Sequence, residues 1–346
     1  MTGNEIKNDY DIVIVGAGPS GCSVANFLDK GYKILMIDWS SFPRDKPCGG
    51  LLTEESKKFL SKIKLPESVF SEPEEIGMRY IDWDNDLEIN RKNRFLNIDR
   101  KKFDYFLLNL SKNNIDFSSN TKFLFFDKSE DGLRIFVEKD NKRKIIKSRY
   151  IIGADGAFSA VRRGITKKDL TRYLTIQEWS TEKNGMETFD YILSNDLTDF
   201  YSWTIPKGNS LILGSALSLK DNTFEKFELF KKRLKDRCLL KCSAGKRESA
   251  LISRPKHIDE VILGNENVFL VGESAGLISP SSGDGISFAL RSGFSCAQAI
   301  NKDFQSSLEN YLEISQPLVN EIAKKLEKSK ILSNPSLRKN VMSKLE

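Results

Sequence analysis

The chain has 346 residues, 39% of them hydrophobic, which is enough for two domains or one large composite domain with a sizeable core. Its 54 basic and 48 acidic residues leave a dispersed net charge of +6, which argues against nucleic acid binding but suits an acidic redox partner or an anionic membrane surface. There is no apolar run of about 18 residues and no apolar signal core, and the five cysteines include no C-x-x-C pair, so we expect a cytoplasmic protein without a disulfide framework or metal site.

The first pattern that points to a function is a strand, a glycine-rich turn and a helix. An apolar run typical of buried parallel strands ends on Gly16, and Gly18 and Gly21 follow with the spacing G-x-G-x-x-G. The helix that begins near Pro19 directs its unpaired amides at a pyrophosphate. Asp38 ends the next predicted strand, 22 residues beyond Gly16, where a carboxylate accepts hydrogen bonds from a ribose. The pattern predicts a dinucleotide site.

An irregular loop over residues 39–52 follows. Two prolines and the adjacent Gly49 and Gly50 disfavour a regular element, and Arg44 is suited to contact phosphate oxygens. Thr53, followed by two glutamates, predicts the capped start of a helix. The two glycines would then lie just before the amide-rich end of that helix.

A predicted hairpin over residues 77–90, turning at 84–86, leads into a helix with Asp99 as its N-cap. Arg100 lies in the first turn, where a cation opposes the helix dipole. It is therefore either a solvated surface arginine or a contact to the cofactor. The spacing predicts a buried face made by Phe103, Phe106 or Leu107, and Leu110.

The strand, glycine turn, acid and helix then occur a second time. A hairpin pairs 133–137 with 144–146, and its basic run is most simply a solvated edge. The next strand runs into Gly153-Ala154-Asp155-Gly156 and another helix.

Residues 166–254 have the pattern of an antiparallel sheet with one helix. The strands are predicted at 173–179, 188–193, 200–205 and 210–215, and the helix from Thr223 to about Leu240. The helix places Phe224, Phe227, Leu229 or Phe230, Leu234 and Cys238 on one face. Cys238 and Cys242 are spaced i, i+4, but no nearby Cys or His completes a tetrahedral site, so core packing is the better interpretation.

The chain then returns to the parallel pattern, with a strand ending at Gly272-Glu273, a loop over 277–284, a helix over 285–299 and a helical tail that breaks near 333–335. The order predicts an α/β (α+β) fold. It comprises a single Rossmann-type domain with a parallel sheet (1–76, 93–165 and 255–302), an inserted antiparallel-sheet substrate-binding domain (77–92 and 166–254) and a C-terminal helical segment (303–346).

With three glycine-acid turns in this order, the chain resembles the single-Rossmann FAD proteins of the aromatic hydroxylase fold. Within that group it looks most like the geranylgeranyl reductase family. The motifs are G-x-G-x-x-G at 16–21, R-x-K-x-C-G-G at 44–50, D-R-x-x-F-D at 99–104, G-A-D-G at 153–156, G-E-S-A-G at 272–276 and G-D-G-I at 283–286.

The resemblance implies FAD as the cofactor. It assigns the cofactor contacts to Gly16, Gly18, Pro19, Ser20, Gly21, Asp38, Trp39, Arg44, Cys48, Gly49, Gly50, Arg100, Asp155, Gly156, Gly272, Glu273, Gly283, Gly285 and Ile286. Glu273 stands where the family group usually has Asp, so the charge is kept on a side chain one methylene longer. The loop over 280–286 is expected to pass the pyrimidine side of the flavin.

Tyr201, Trp203 and Ile205 alternate along one predicted strand and therefore share a face. The run is similar to the Y-x-W-x-F-P motif of archaeal prenyl reductases and to the W-x-W-x-I-P motif of flavin halogenases. The face is either a cavity wall above the flavin or part of a packed core. The candidate catalytic residues are Cys48, placed beside the flavin by the resemblance, with Tyr201 and Trp203.

The predicted function is reduction of carbon-carbon double bonds in an isoprenoid or polyprenyl lipid, with electrons from NAD(P)H or a ferredoxin-like protein. A peripheral membrane contact is also predicted. The alternatives are a flavin-dependent hydroxylase or halogenase and a non-catalytic FAD-binding redox sensor. Because the region after Ala299 is short for an archaeal prenyl reductase, a smaller substrate or a partly open cavity is also consistent with the sequence.

Overall fold

The computed structural model describes residues 6–61, 63–112, 115–181, 187–237, 239 and 245–344. The strands are β1 (Asp9–Val15), β2 (Ile34–Ile37), β3 (Leu51–Leu52), β4 (Phe70–Asp82), β5 (Leu87–Ile98), β6 (Asp116–Ser118), β7 (Thr121–Ser129), β8 (Gly132–Lys139), β9 (Lys142–Gly153), β10 (Arg172–Ser180), β11 (Thr188–Ser194), β12 (Thr198–Lys207), β13 (Ser210–Ser218), β14 (Arg247–Ser253), β15 (Gly264–Asn265) and β16 (Val268–Leu270). The helices are α1 (Pro19–Phe27), α2 (Glu54–Leu60), α3 (Arg100–Ser111), α4 (Ala160–Ile165), α5 (Thr223–Asp236), α6 (Ile286–Lys302), α7 (Ser307–Ile314), α8 (Gln316–Leu332) and α9 (Pro335–Met342).

The first sheet contains the parallel strands. Its order is β15, β16, β9, β1, β2, β6, and β7 and β8 extend it as antiparallel strands beside β9. The parallel strands are continuous apolar runs because they are covered on both faces, and Ile12, Val13 and Ile14 are fully buried. Strands β1, β2, β9 and β16 run in parallel, so the turns that follow them reach the same edge of the sheet.

The second sheet has the order β14, β10, β13, β12, β11, β4, β5, β3 and is antiparallel except where β11 pairs with β4. Helix α5 covers one face with Phe227, Phe230 and Leu234. The opposite face is aromatic, with buried residues that include Tyr173, Phe189, Tyr191, Phe200 and Trp203. The two sheets and the helical tail confirm the predicted fold class.

Several element boundaries and faces differ from the predictions. The hairpin of β4 and β5 is longer at both ends than the predicted 77–90. Leu110 is 38% exposed, because the buried row of α3 continues from Leu107 to Ser111 at i, i+4. Phe224 is 58% exposed and lies against the Arg247 guanidinium instead of the core. The predictions for Cys238, Leu240 and Cys242 lie outside the described residues.

A buried arginine helps to fasten the C-terminal segment to the second sheet. Arg338 of α9 donates from Nε and Nη2 to the two carboxylate oxygens of Asp82, at 2.8 and 2.9 Å, and also pairs with Asp84. The break predicted near 333–335 is confirmed, since α8 ends at Leu332 and α9 begins at Pro335. Among the helices in the described ranges, none has the length and apolar character needed to cross a membrane.

Candidate functional site

The glycine-rich turn after β1 forms the floor of the candidate site. Gly16 has φ +107°, and a Cβ on it would lie 2.4 Å from the Ala154 carbonyl oxygen, so a side chain cannot be accommodated there. Gly18 is the N-cap of α1 and supplies no side-chain cap, and Pro19 occupies the first turn. Among the described residues, a Cβ on Gly18 would have only Nη2 of Arg44 within 4 Å, at 3.6 Å. The first amides of α1 therefore face space that a ligand can enter.

Asp38 fastens this turn to the end of β2. Its Oδ2 accepts a hydrogen bond from the Ala17 amide and its Oδ1 accepts one from the Ser40 amide, both at 2.8 Å. Each carboxylate oxygen keeps a second lone pair for a hydroxyl donor. The next residue, Trp39, is 79% exposed and presents a bare indole ring at the same edge. The other predicted residues of this turn, Ser20 and Gly21, are buried in the first turn of α1.

Two arginines and one aspartate lie behind the glycine turn. Arg100 donates from Nε and Nη2 to both carboxylate oxygens of Asp104, each at 3.0 Å, while Nη2 of Arg44 lies 3.4 Å from Asp104. Burial opposes the charge on Arg100, but Asp104 and Cys48 outweigh it and raise the pKa of Arg100 above its usual value. The alternative of a solvated surface arginine is wrong, because only 9% of the Arg100 side chain is exposed.

Arg44 has a buried donor that is not used within the described part of the protein. Its Nε is buried and has no hydrogen-bond partner in the described ranges. Its Nη2 reaches the space in front of Gly18. A guanidinium with a free buried N–H beside unpaired helix amides matches the acceptor oxygens of a phosphate.

The second and third acidic turns meet each other. Asp155 Oδ2 accepts hydrogen bonds from the first two amides of α4, at 2.7 and 3.2 Å, and Oδ1 is buried without a partner among the described residues. Burial raises the pKa of Asp155. Glu273 Oε1 accepts from the Ser253 amide at 2.7 Å, and its Oε2 lies 3.9 Å from where a Cβ of Gly156 would be. The longer side chain thus spans from β14 to the second turn, and Gly272 precedes it in a left-handed conformation at φ +61°.

The aromatic face of the second sheet meets the Cys48–Gly50 turn. Tyr201, Trp203 and Ile205 do share one face, as predicted. A Cβ on Gly49 would lie 2.6 Å from Cδ1 of Ile205, so the turn and the strand are in direct contact. Cys48, which is partly exposed, accepts a hydrogen bond at Sγ from the Gly50 amide at 3.4 Å.

The Trp203 ring packs against the neighbouring strand β13. A Cβ on Gly214 would lie 2.3 Å from Cζ2 of the indole, so the glycine makes room for the ring. Trp203 Nε1 is buried and has no hydrogen-bond partner within the described part of the chain. The ring therefore keeps one free donor in the aromatic face.

The loop before α6 is bound to the second sheet by side chains of that sheet. The hydroxyls of Tyr191 and Tyr201 donate to the carbonyls of Ser281 and Ser282 at 2.6 and 2.8 Å, and the two rings stack with centroids 4.1 Å apart. Gly283 has φ +66°. The loop ends at Gly285, which precedes Ile286 as an N-cap without a side-chain cap.

Four residues of the site were missed by sequence reasoning. Arg254 donates from Nε to the Pro280 carbonyl at 3.0 Å, and Asp284 accepts from Thr53 Oγ1 at 3.2 Å. Tyr191 holds the same loop, and Lys207 contacts the Cys48–Gly50 turn. Two of them had a sequence signal: Lys207 continues the alternation of 201, 203 and 205, and Asp284 belongs to the G-D-G-I motif. Arg254 and Tyr191 lie far from the loop in sequence, and no sequence pattern indicated that they bind it.

The residues at this edge fit a dinucleotide that carries a flavin. The unpaired amides of α1 and the free Nε of Arg44 suit its diphosphate, and Asp38 suits a ribose. The aromatic face and the Cys48–Gly50 turn leave an apolar boundary for a planar ring. The individual cofactor contacts and catalytic roles named from the sequence stay predictions.

Comparisons with known proteins agree with this geometry. The FAD binding domain family matches residues 9–187. Protein CbrA of Escherichia coli O9:H4 (strain HS) is 29% identical over 340 residues, which cover 96% of this chain and 93% of that protein. A geranylgeranyl bacteriochlorophyll reductase-like protein from Thermoplasma acidophilum superposes with a TM-score of 0.83 at 21% identity, over 94% of this chain and 88% of that one.

A second solved structure, PqsL from Pseudomonas aeruginosa, described as a probable FAD-dependent monooxygenase, has a TM-score of 0.72 at 13% identity, over 97% and 100% of the two chains. At these identities the two structures show a shared fold. The family match extends over more than half of the sequence. The chain belongs to the FAD binding domain family, and its cofactor is FAD.

Proposed function

We propose that this protein reduces carbon-carbon double bonds of an isoprenoid lipid of the geranylgeranyl type. The observation that carries the proposal is the contact between the apolar face of β12 and the Cys48–Gly50 turn, through Ile205 and Gly49. The same face continues into buried apolar residues, which include Ile76, Met78, Phe189, Tyr191, Ile212 and Ala216. Such a wall suits a substrate that has no polar group beside its reacting carbons.

Reduced FAD supplies a hydride equivalent for this reaction. The side chains of the site must exclude water and deliver one proton to the neighbouring carbon. The Cys48 thiol is the proposed donor, because it lies on the turn that meets the apolar wall. Tyr201 is a poorer donor, since its hydroxyl proton is engaged by the Ser282 carbonyl and burial raises its pKa above the usual tyrosine value. Tyr201 and Trp203 would give the apolar wall its shape and exclude water from it.

The proposal also includes the source of the electrons and a peripheral contact with a membrane. The sequence has one G-x-G-x-x-G turn answered by an acid, at Gly16 and Asp38, so electrons would come from transiently bound NAD(P)H or from a ferredoxin-like protein. The net charge of +6 suits an acidic protein and a peripheral contact with an anionic membrane.

The test is an anaerobic turnover. The FAD-loaded protein is reduced with dithionite and mixed with geranylgeranyl diphosphate or a geranylgeranyl lipid, and flavin reoxidation is followed together with the mass of the lipid. We expect reoxidation and products heavier by pairs of hydrogens. Cys48→Ala should slow reoxidation at least tenfold, whereas Cys48→Ser should retain part of the rate because it keeps a proton donor. Reduced flavin that is stable in the presence of the lipid would contradict the proposal.

A hydroxylase or halogenase acting on an aromatic substrate is the second candidate, and one observation favours it. The buried Nε1 of Trp203 has no partner within the described ranges, and an oxygen-bearing substrate would supply an acceptor. This candidate predicts that reduced flavin reoxidises only when oxygen enters, and that phenolic compounds stimulate NAD(P)H oxidation. A non-catalytic redox sensor would turn over neither substrate class.

A further inference from the structure

Lys207 ends the apolar face of β12 with a positive charge. Its Nζ donates to the Ile98 carbonyl at 2.8 Å and to the Gly50 carbonyl at 3.4 Å. A Cβ on Gly50 would lie 2.9 Å from this nitrogen, so the ammonium is packed against the turn. Lys207 follows Tyr201 and Ile205 in the strand alternation and therefore shares their face.

Among the described residues, no direct ion pair neutralises the charge of Lys207. In the part of the chain that the structure describes, its ammonium donates only to these two carbonyls. The titratable and charged groups that face it are Cys48 on the turn, and Asp99 and Arg100 at the start of α3. Asp99 is engaged in capping α3, and Arg100 is itself paired with Asp104. Burial lowers the pKa of Lys207 to about 8.

We propose that Lys207 is a positioning residue that raises the reduction potential of the bound FAD. It holds the Gly50 carbonyl in place and keeps a cation beside the turn that borders the space for the flavin ring, an assignment that rests on the proposed function. Reduction of FAD to its anionic two-electron form takes up two electrons and one proton, so the site gains one negative charge. A cation at this position stabilises the reduced form more than the oxidised form.

The position of the charge also makes the potential depend on pH. Below pH 8 Lys207 is already protonated, and reduction takes up one proton per two electrons. Above pH 8 the oxidised protein holds a neutral amine, and the new negative charge draws a second proton onto Lys207. The slope of the reduction potential against pH should therefore double above pH 8.

The test measures the midpoint potential of the FAD-loaded protein from pH 6.5 to 9, by slow reduction with dithionite in the presence of a reference dye. Lys207→Met should shift the equilibrium between oxidised and reduced FAD at pH 7 at least tenfold toward the oxidised form, which is about 30 mV for a two-electron couple. Its plot against pH should show no change of slope. Lys232→Met, which removes an exposed lysine of α5, should behave like the wild type.

Lys207→Arg keeps a charge that does not titrate in this range. It should keep the wild-type potential at pH 7 and lose the bend near pH 8, and it serves as the second variant if Lys207→Met does not retain FAD. A Lys207→Met variant with the wild-type potential, or a Lys207→Arg variant that keeps the bend near pH 8, would overturn the inference. The measurement needs no substrate, so failure of alkene reduction would count against the proposed function and leave the role of Lys207 intact.

Discussion

Arg44 shows how one side chain can be held in place while part of it stays available to a ligand. Asp104 pairs with Nη2 on one side, and the Phe42 ring lies 5.1 Å from the guanidinium carbon. The buried Nε has no partner within the described ranges. An unused donor of this kind costs free energy in the empty protein, and a phosphate oxygen would remove that cost.

Replacing Arg44 should therefore weaken FAD binding more than it weakens the fold. A charge-assisted hydrogen bond of about 1.5–3 kcal/mol corresponds to an increase of roughly 10- to 100-fold in the dissociation constant of FAD for Arg44→Met. The measurement is quenching of FAD fluorescence on titration with apoprotein. Lys46→Met is the matched control, because Lys46 is exposed on the same loop. Equal affinity in the two variants would exclude a role for Arg44 in binding.

The residues of the site were predictable where they belong to a local motif. The glycine turns and their acids are read from short spacings, because turn geometry and helix amides are local properties. Arg254 and Tyr191 could not be found in this way, since each holds the 279–285 loop across a distance in the chain that only the packing of the two sheets closes.

At the level of elements, α9 depends on a buried ion pair. The Arg338 and Asp82 side chains are 1% and 0% exposed, so neither charge is solvated in the folded state. Burial by itself would raise the pKa of Asp82, but the bonds from Arg338 and Asn85 outweigh it, and the pKa lies below the usual value. The pair therefore ties α9 to the end of β4.

Arg338→Met should destabilise the protein by about 3–5 kcal/mol at pH 7, because it leaves a buried carboxylate without its partner. A lowered pKa in the folded state means that the stabilisation is present above the unfolded value of about 3.9 and is lost as pH falls below it. The difference in unfolding free energy between wild type and variant should therefore shrink at acid pH. Denaturant unfolding at pH 7 and pH 3.5 measures it.

The double variant Arg338→Met/Asp82→Asn is the companion experiment, since it removes the unpaired charge. It should recover part of the lost stability at pH 7, and Lys339→Met, on the exposed side of α9, should have little effect. If Arg338→Met were as stable as the wild type, the ion pair would not hold the C-terminal segment.

The elements that carry their own start signals were predictable. Thr53 and Asp99 cap α2 and α3 as expected, and the hairpin between β8 and β9 turns where the sequence indicated. The predictions failed where tertiary packing determines which side chains are buried. Phe224 has the spacing of a core residue, but it lies in the first turn of α5. There the Arg247 guanidinium covers the ring instead of the sheet.

At the scale of the whole molecule, the 279–285 loop joins the two sheets. It leads from the parallel sheet into α6, and its carbonyls are bound by Tyr191, Tyr201 and Arg254 of the second sheet and its flank. A shift of one sheet relative to the other would therefore move the N-terminus of α6, where the sequence predicts the flavin contacts of Gly285 and Ile286.

Removing two of these bonds should loosen the loop without unfolding either sheet. In the double variant Tyr191→Phe/Tyr201→Phe, the Ser281 and Ser282 carbonyls lose their donors but the rings still stack. We expect faster amide hydrogen exchange at residues 279–285, with unchanged protection in β1 and β9. Thr175→Val, which removes a hydroxyl bond between β10 and β14, is the control. Unchanged exchange in the loop would show that the two tyrosine hydroxyls do not hold it in place.

The parallel pairing of β11 with β4 has a consequence for biosynthesis. Strand β4 leaves the ribosome well before β11, because residues 83–187 must be translated between them. During that interval the β4–β5 hairpin has an unpaired edge and an uncovered aromatic face, both of which favour association with other chains. A chaperone that binds nascent chains would find an exposed edge and apolar surface here. Pausing of translation within 83–187 should therefore lower the yield of native protein more than pausing after residue 218.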